Sequence, residues 1–222
     1  HGGFRRGEFV LVGALQHNYK TGFTLNLFKH LALYNKPYMR DPLTKPLIIH
    51  VSAENELHMN IVQLYRSLYE NETGEVVDES KFKDPNIPLE ERMAAIAEAQ
   101  QYIHEKMSVN GYHVEMWRCD PSSTTVQSIF DMITHFESQG YEIHAIVFDY
   151  LNMISKAGCN QTGPTGSEIR DMMRRVRNFT APRGITFITP HQLSTEAKKM
   201  VRAGVNDFVK HLEGKGYYDS CG

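Results

Sequence analysis

The chain has 222 residues, of which 41% are hydrophobic and 23% charged, and its net charge is −2 at neutral pH. This composition is typical of a folded protein with one large or two small domains, and unlike that of disordered or fibrous chains. No apolar run approaches the ~18 residues that a membrane-spanning helix needs, which argues against a membrane protein. Because the charge is close to zero, any nucleic-acid contact must come from a local basic patch.

The first residues and the cysteines carry little functional information. Residues 1–6 have neither the basic nor the apolar region of a signal peptide, and we interpret them as a cloning remnant or linker. The cysteines, Cys119, Cys159 and Cys221, are far apart and never in C-x-x-C spacing. This pattern argues against a disulfide framework or a zinc site and fits a reducing cytosol.

Short apolar runs alternate with segments of helical period along the whole chain. In chain order the predicted elements are a strand at 8–13, a helix at 20–35, a strand at 47–51, helices at 56–69 and 89–107, a strand at 113–117, a helix capped by Ser122-Ser123 and ending near 137, a strand at 143–148, a helix at 168–179 and a strand at 184–189. The polar stretch at 70–88 predicts an inserted surface loop or ribbon. Strands separated by helices predict a single α/β domain, with a mostly parallel sheet covered by helices on both faces.

The connection after the first strand has residue types that bind phosphate. The segment comprises Ala14, Leu15, Gln16, His17, Asn18, Tyr19, Lys20 and Thr21. Lys20 and Thr21 open the next helix, where a phosphate-binding loop supplies a lysine for the β- and γ-phosphates and a hydroxyl for magnesium. Ala14 and Tyr19 stand where the usual pattern has glycine, so the segment alone also fits an ordinary strand–loop–helix connection.

Three more strands end in polar side chains, at the carboxyl edge where open α/β sheets bind ligands. Glu54 follows the second strand and could polarise an attacking water, although acids are also common at helix starts. Asp149 ends an apolar strand in the pattern of a magnesium-supporting carboxylate, although aspartate also serves in turns. His191 and Gln192 follow the last strand and could sense a γ-phosphate or satisfy backbone groups in a loop.

In combination, these segments resemble a known family. They are Gly13-Ala14 with Lys20-Thr21, Val51-Ser52-Ala53-Glu54, Val147-Phe148-Asp149-Tyr150-Leu151 and His191-Gln192-Leu193. In this order and approximate spacing they are similar to the motifs of the RecA-like ATPase domain of DnaB-type replicative helicases (superfamily 4). The resemblance covers residues from about 7 to 200. A bacteriophage member of the family would account for the departures in the phosphate loop.

The resemblance implies a role for each of these residues in binding and hydrolysing ATP with Mg²⁺. Lys20 would contact the β- and γ-phosphates, and Thr21 would ligate magnesium. Glu54 would orient and deprotonate the attacking water, and Asp149 would hold magnesium through water. Gln192 would couple the state of the γ-phosphate to the DNA-binding loops. These residue types supply the positioning and charge neutralisation that phosphoryl transfer requires.

The resemblance also implies partners and a location. The full-length protein would be a homohexamer that translocates on single-stranded DNA in the cytoplasm, or in the host cytoplasm if it comes from a phage. A primase and a helicase loader would be its further partners. Residues 7–222 would form the ATPase domain, truncated at its C-terminal end. Related motors take an arginine finger from a neighbouring subunit, and by resemblance that sequence lies beyond Gly222, so we expect the isolated chain to hydrolyse ATP weakly.

In ring helicases of the family that the chain resembles, loops facing the central channel contact single-stranded DNA, and two segments of this chain correspond to such loops by position. Lys198, Lys199 and Arg202 come after the strand that ends near Gln192, and they concentrate positive charge as phosphate binding requires. The glycine-containing segment at 156–167 follows the strand that ends at Asp149 and is predicted to be a mobile loop.

Other conspicuous side chains are assigned structural roles. Trp117 and Tyr150 are interpreted as core residues rather than as stacking platforms. The histidines lack companion ligands at metal spacing, so no structural metal is expected. A solvated face of the helix at 168–179 is expected to carry Arg170, Arg174, Arg175 and Arg177.

Two other functions stay open at the level of the sequence. One is a catalytically impaired RecA-like module for nucleotide binding or assembly, which Tyr19 favours and the intact Lys20, Glu54 and Asp149 disfavour. The other is a RecA-type recombinase ATPase with the same fold. The segments Asp149-Tyr150-Leu151 and His191-Gln192-Leu193 favour the helicase branch over the recombinases.

Overall fold

A computed structural model of the chain describes residues 3–14, 19–162, 166–192, 199 and 203–204. Its elements, in chain order, are β1 (Phe9–Ala14), α1 (Lys20–Leu33), β2 (Lys45–Ser52), α2 (Leu57–Thr73), α3 (Ser80–Lys83), α4 (Leu89–Met107), β3 (His113–Arg118), α5 (Val126–Ser138), β4 (Tyr141–Asp149), a 3₁₀ turn (Leu151–Met153), α6 (Ser167–Thr180) and β5 (Thr186–Gln192). None of the described helices is long and apolar enough to cross a membrane.

The strands form one parallel five-stranded sheet in the order β1-β5-β4-β2-β3. Each strand from β1 to β4 is followed by a connection that contains at least one α-helix, as parallel pairing requires. The predicted α/β class with a parallel sheet is therefore confirmed. The residue pattern explains why: β2 and β4 are almost wholly buried, and a strand covered on both faces needs a continuous apolar run.

Two apolar clusters cover the two faces of the sheet. On one face, α5 and α6 bury residues such as Ile133 and Met172 against Ile49 and Phe148. On the other face, α1, α2 and α4 form a second cluster with the sheet, whose members include Phe28, Leu64, Ile103, Ile48 and Val147. Alternate residues of β2 and β4 thus serve opposite clusters, as the pleat of a strand requires.

The segment predicted as a surface loop or ribbon at 70–88 is only partly one. Helix α2 continues through Thr73 and ends where Gly74 adopts a left-handed conformation, with φ 73°. The remaining segment holds the short helix α3, and its Val77 and Phe82 side chains are buried in the α2–α4 cluster. Two apolar anchors in a polar stretch therefore fix it to the helices, so the prediction of a surface loop or ribbon is correct only in part.

The start of α5 also differs from its prediction. Ser122 and Ser123 both donate hydrogen bonds to the Asp120 carboxylate, so they belong to a turn before the helix. The N-cap is Thr125, whose hydroxyl accepts from the backbone N–H of Ser128, while the Ser128 hydroxyl accepts from the Thr125 N–H at 3.1 Å. This reciprocal capping box sets the start of the helix later than predicted.

The edge of the sheet and the chain before β1 complete the fold. Trp117, interpreted as core, is 38% exposed because β3 is the outermost strand of the described sheet on its side. Arg6 donates from Nε to the carbonyl oxygen of Gly184 at 2.6 Å and forms an ion pair of 2.9 Å with Glu142. These contacts connect the chain before β1 to the amino ends of the central strands.

Candidate functional site

Four strand ends with polar residues lie side by side along one edge of the sheet. The strands β1, β5, β4 and β2 are consecutive neighbours, and all run in the same direction. Ala14 pairs with Gln192 at the end of β1 and β5, and Ser52 pairs with Asp149 at the end of β2 and β4. The backbone N–H of Ala53 continues this ladder by donating to the Asp149 carbonyl at 2.8 Å. The ends of the four strands that were predicted to contribute polar residues therefore lie together at the carboxyl edge of the sheet.

Lys20, the first residue of α1, contacts residues at the ends of two of these strands. Its Nζ donates to Gln192 Oε1 at 3.4 Å and lies 4.5 Å from the centre of the Tyr150 ring. An ammonium group can only donate, so the amide oxygen of Gln192 faces Lys20 and the NH₂ group is directed elsewhere. The geometry brings the lysine of the predicted phosphate loop together with the ends of β4 and β5.

Asp149 is a buried carboxylate without a compensating charge at hydrogen-bond distance. Its side chain is 0% exposed, and neither carboxylate oxygen has a hydrogen-bond partner among the described residues. Burial raises the pKa of Asp149, and the negative charge of Glu54 raises it further, while the nearby Thr21 hydroxyl and the positive charge of Lys20 act against this increase. The ionised form of a buried carboxylate that lacks a partner is stabilised by a cation placed beside it.

The oxygen atoms around Asp149 are of the types that bind magnesium. Mg²⁺ prefers oxygen ligands, keeps several waters and commonly binds through one or two carboxylates together with substrate phosphates. The Thr21 hydroxyl and the Asp149 carboxylate oxygens, which have no hydrogen-bond partner in the described ranges, are oxygen ligands of this kind. Within the described part of the chain, no group of three or more His, Cys, Asp or Glu side chains could hold a metal ion by itself. Magnesium would therefore depend on phosphate oxygens and water to complete its ligands.

Tyr19 has the backbone conformation of the glycine that it replaces. It immediately precedes α1 with φ 50° and ψ 34°, which is the left-handed region, and its side chain is 89% exposed. Left-handed backbone is sterically costly for a residue with a Cβ atom, and glycine adopts it readily. Tyr19 thus has a backbone conformation that favours glycine, at the position where the usual pattern has one. The predicted loop residues Leu15, Gln16, His17 and Asn18 lie outside the described residues.

The left-handed conformation of Tyr19 leads to a testable difference between two substitutions. Tyr19→Gly should give a folded chain more stable than Tyr19→Ala by about 1 kcal/mol, because only the alanine keeps the steric cost of positive φ. Urea denaturation of both variants measures the difference. Gln101, exposed in α4, is the matched control, since there the glycine variant should be the less stable by about 1 kcal/mol. Equal stabilities at position 19 would contradict the assigned backbone conformation.

Glu54 lies in a braced turn directly after β2. The Ser52 hydroxyl accepts from the backbone N–H of Asn55 at 3.0 Å and donates to the Asn55 carbonyl at 3.1 Å. The Asn55 side chain in turn donates to the buried Asn60 on α2 at 3.2 Å. Glu54 itself is exposed, and its charge raises the pKa of both Asp149 and Tyr150. Its carboxylate is therefore close to the metal-binding candidate and accessible to solvent.

Three residues of the site were not predicted from the sequence. Tyr150, interpreted as core, is half-buried with Lys20 over its ring, so that interpretation is wrong. Thr24 is fully buried, donates to the carbonyl oxygen of Thr21 at 2.9 Å and lies 3.4 Å from Nε2 of the buried His50. The available signal was spacing, because residues i and i+3 of a helix share a face and Thr24 follows Thr21 by three.

The predicted DNA-contacting segments are only partly described. Lys198 and Arg202 lie outside the described residues, and Lys199 is exposed. The first part of the segment at 156–167, predicted to be mobile, is anchored: Arg175 donates to the carbonyl oxygen of Gly158 at 2.8 Å, and the Asn160 N–H donates to Asp171 at 3.0 Å.

The four arginines of α6 divide in their roles. Arg170, Arg174 and Arg177 are exposed, as a solvated face requires. Arg175 differs because its guanidinium donates to the backbone of the neighbouring loop. The solvated-face interpretation is therefore wrong for Arg175 alone.

Comparisons with known proteins agree with this geometry. The chain is similar to a DnaB-like replicative helicase whose structure was described together with its interactions with primase, at 17% identity and a TM-score of 0.60 over 89% of this chain and 41% of that chain. It is also similar to the ATPase domain of a phage helicase, at 16% identity and a TM-score of 0.57 over 89% of this chain and 61% of that chain. No curated protein matches the chain.

These likenesses establish the fold, which is that of DnaB-like helicase ATPase domains, and they confirm the RecA-like fold expected from the motifs. The chain spans less than two thirds of the length of either neighbour. The family model described as "Divergent DnaB-like ATPase" matches residues 1–222, which is the whole sequence. The chain therefore belongs to the family of divergent DnaB-like ATPases.

Proposed function

We propose that the chain is the motor domain of a replicative DNA helicase, which binds and hydrolyses ATP with magnesium to translocate on single-stranded DNA. The observation that carries the proposal is the meeting of Lys20, Gln192 and the Asp149–Tyr150 strand end at one edge of the sheet. A lysine, a buried carboxylate and an amide are the groups that phosphoryl transfer from a nucleotide uses.

Each residue has a role in this proposal. Lys20 neutralises charge on the β- and γ-phosphates, and Gln192 presents its NH₂ group to the γ-phosphate, since its oxygen faces Lys20. Glu54 accepts a proton from the water whose oxygen attacks the γ-phosphorus, and the bond to the β–γ bridging oxygen breaks, releasing ADP and phosphate. Thr21 and Asp149 hold magnesium. Bound magnesium supplies positive charge to the phosphate oxygens.

DNA contact and assembly complete the proposal. Lys198, Lys199 and Arg202 would contact the phosphates of single-stranded DNA, because clustered positive charge releases counterions from the strand. The full-length protein would act as a homohexamer in the cytoplasm, with a primase and a loader as partners. The support for a primase is the similar helicase described with one.

A catalytically impaired nucleotide-binding or assembly module is the alternative function. Tyr19 favours it, because a large exposed side chain stands directly before α1, where the usual phosphate-binding pattern has glycine. The two functions differ in turnover: the motor hydrolyses ATP at a rate that depends on Glu54, whereas the impaired module binds ATP without turnover.

Binding of ATP–magnesium tests the proposal. Lys20→Ala should weaken binding about 10- to 100-fold, because charge-assisted hydrogen bonds contribute about 1.5–3 kcal/mol. Isothermal titration calorimetry of the 222-residue chain measures the change. Lys45→Ala is the matched control, since Lys45 is exposed at the start of β2 and thus at the opposite edge of the sheet. Equal affinities of the Lys20 and Lys45 variants would place the nucleotide elsewhere.

A further inference from the structure

Tyr150 is at the centre of the site, although nothing in its residue type marks it as catalytic. The ammonium of Lys20 lies 4.5 Å from the centre of its ring, which is within the range of a cation–π contact. The ring therefore adjoins the lysine of the site and belongs to the residue that directly follows Asp149.

The backbone around Tyr150 is held by the sheet. Tyr150 directly follows Asp149, the last residue of β4, and precedes the 3₁₀ turn that begins at Leu151. The backbone N–H of Leu151 donates to the buried Thr189 hydroxyl of β5 at 2.9 Å. The backbone on both sides of Tyr150 is thus held by the neighbouring strands β4 and β5.

Lys20 has few favourable interactions at its position, so its contact with the Tyr150 ring matters more than it would for an ordinary lysine. It is the first residue of α1, where the positive end of the helix dipole disfavours a cation. Among the described residues, no carboxylate lies within 4.0 Å of its Nζ. Its contacts there are the Gln192 oxygen and the Tyr150 ring. A lysine side chain has many rotamers, and two contacts from different strands restrict them.

We propose that Tyr150 is the positioning residue for Lys20: its ring face holds the ammonium at the phosphate-binding edge before nucleotide arrives. The role belongs to the ring and not to the hydroxyl, so Tyr150→Phe should retain it and Tyr150→Leu should lose it. This inference rests on the proposed function, because it assigns the held lysine to the phosphates of a nucleotide.

The contact itself is tested without nucleotide. Reductive methylation with ¹³C-formaldehyde labels the lysines, and Lys20→Arg assigns the Lys20 signal in the NMR spectrum. A group above an aromatic ring is shielded, so the Lys20 methyl resonance should lie upfield of ordinary lysine signals. It should stay there in Tyr150→Phe and return to the ordinary position in Tyr150→Leu. A Lys20 resonance at the ordinary position in the unsubstituted chain would overturn the proposal, whether or not Tyr150→Leu folds.

The consequence for binding is tested by a double-mutant cycle with ATP–magnesium. Tyr150→Leu should weaken binding about tenfold, as expected for loss of a partly desolvated cation–π contact, and Tyr150→Phe about twofold or less. In the Lys20→Ala background, Tyr150→Leu should cause no further loss. An equal loss in both backgrounds would show that Tyr150 acts independently of Lys20 and would overturn the proposal. If the unsubstituted chain binds no ATP–magnesium, the proposed function is wrong, and the NMR spectrum alone decides whether Tyr150 holds Lys20.

Discussion

Glu54→Gln is expected to lower the rate of ATP hydrolysis by about 10²- to 10⁴-fold, the usual contribution of a general base. The substitution keeps the size and the hydrogen-bonding shape of the side chain but removes its ability to take a proton from water. Because Glu54 is exposed and does not contact Lys20, the affinity for ATP–magnesium should change by less than about twofold. Steady-state phosphate release and calorimetric titration measure the two quantities.

Glu56→Gln provides the matched control for this experiment. Glu56 is an exposed glutamate two residues away, at the N-cap of α2, and it forms an ion pair with Arg118 at 2.8 Å. Its substitution changes the local charge by the same amount without touching the proposed base, so hydrolysis should stay within about threefold of the original. Equal rates for Glu54→Gln and the original chain would assign the base to another residue. Because the isolated chain is expected to hydrolyse ATP weakly, the impaired module is favoured only if a version extended at both ends also binds ATP without hydrolysing it.

The sheet and the site edge could be predicted because both depend on local pattern. Buried parallel strands need continuous apolar runs, and the run at 143–148 lies inside the observed β4. Parallel strands also end at a common edge, so polar residues after several strands must come together. Asp149, Glu54 and Gln192 follow this rule, and their convergence required no knowledge of side-chain contacts.

Other features were beyond sequence reasoning because they depend on contacts between distant residues. Glu142 looks like a polar interruption before a strand, but Arg6 binds its carboxylate across 136 residues of sequence, and β4 begins before it. Tyr150 has the composition of a core residue, and only the position of Lys20 reveals its place in the site. The left-handed backbone of Tyr19 likewise cannot be read from a tyrosine, since glycine is the usual sign of that conformation.

Acid should destabilise the fold well before the carboxylates are protonated, because of His50. Burial lowers the pKa of His50 to about 3, and its Nδ1 has no hydrogen-bond partner among the described residues. The unfolded chain has a histidine pKa of about 6.5. Below that value the His50 imidazole binds a proton in the unfolded state but not in the folded state. The free energy of unfolding therefore decreases as pH falls from about 6.5 toward 3. Between about pH 7.0 and 4.5 the loss from His50 should be about 2–3 kcal/mol.

Urea denaturation at about pH 7.0 and 4.5 measures this loss, and His50→Gln isolates its source. Glutamine does not titrate, so the stability of the variant should fall by about 2–3 kcal/mol less than that of the original chain over the same pH range. His58→Gln is the control, because His58 is exposed and its replacement should leave the acid dependence unchanged. His144, whose pKa burial lowers to about 4, keeps part of the dependence in both variants. If His50→Gln and His58→Gln show the same dependence on pH, the pKa of His50 is the same in the folded and unfolded chains, and the assigned shift is wrong. The buried site of His50, where Nε2 lies 3.4 Å from the Thr24 hydroxyl, would then have to accommodate the charged imidazolium.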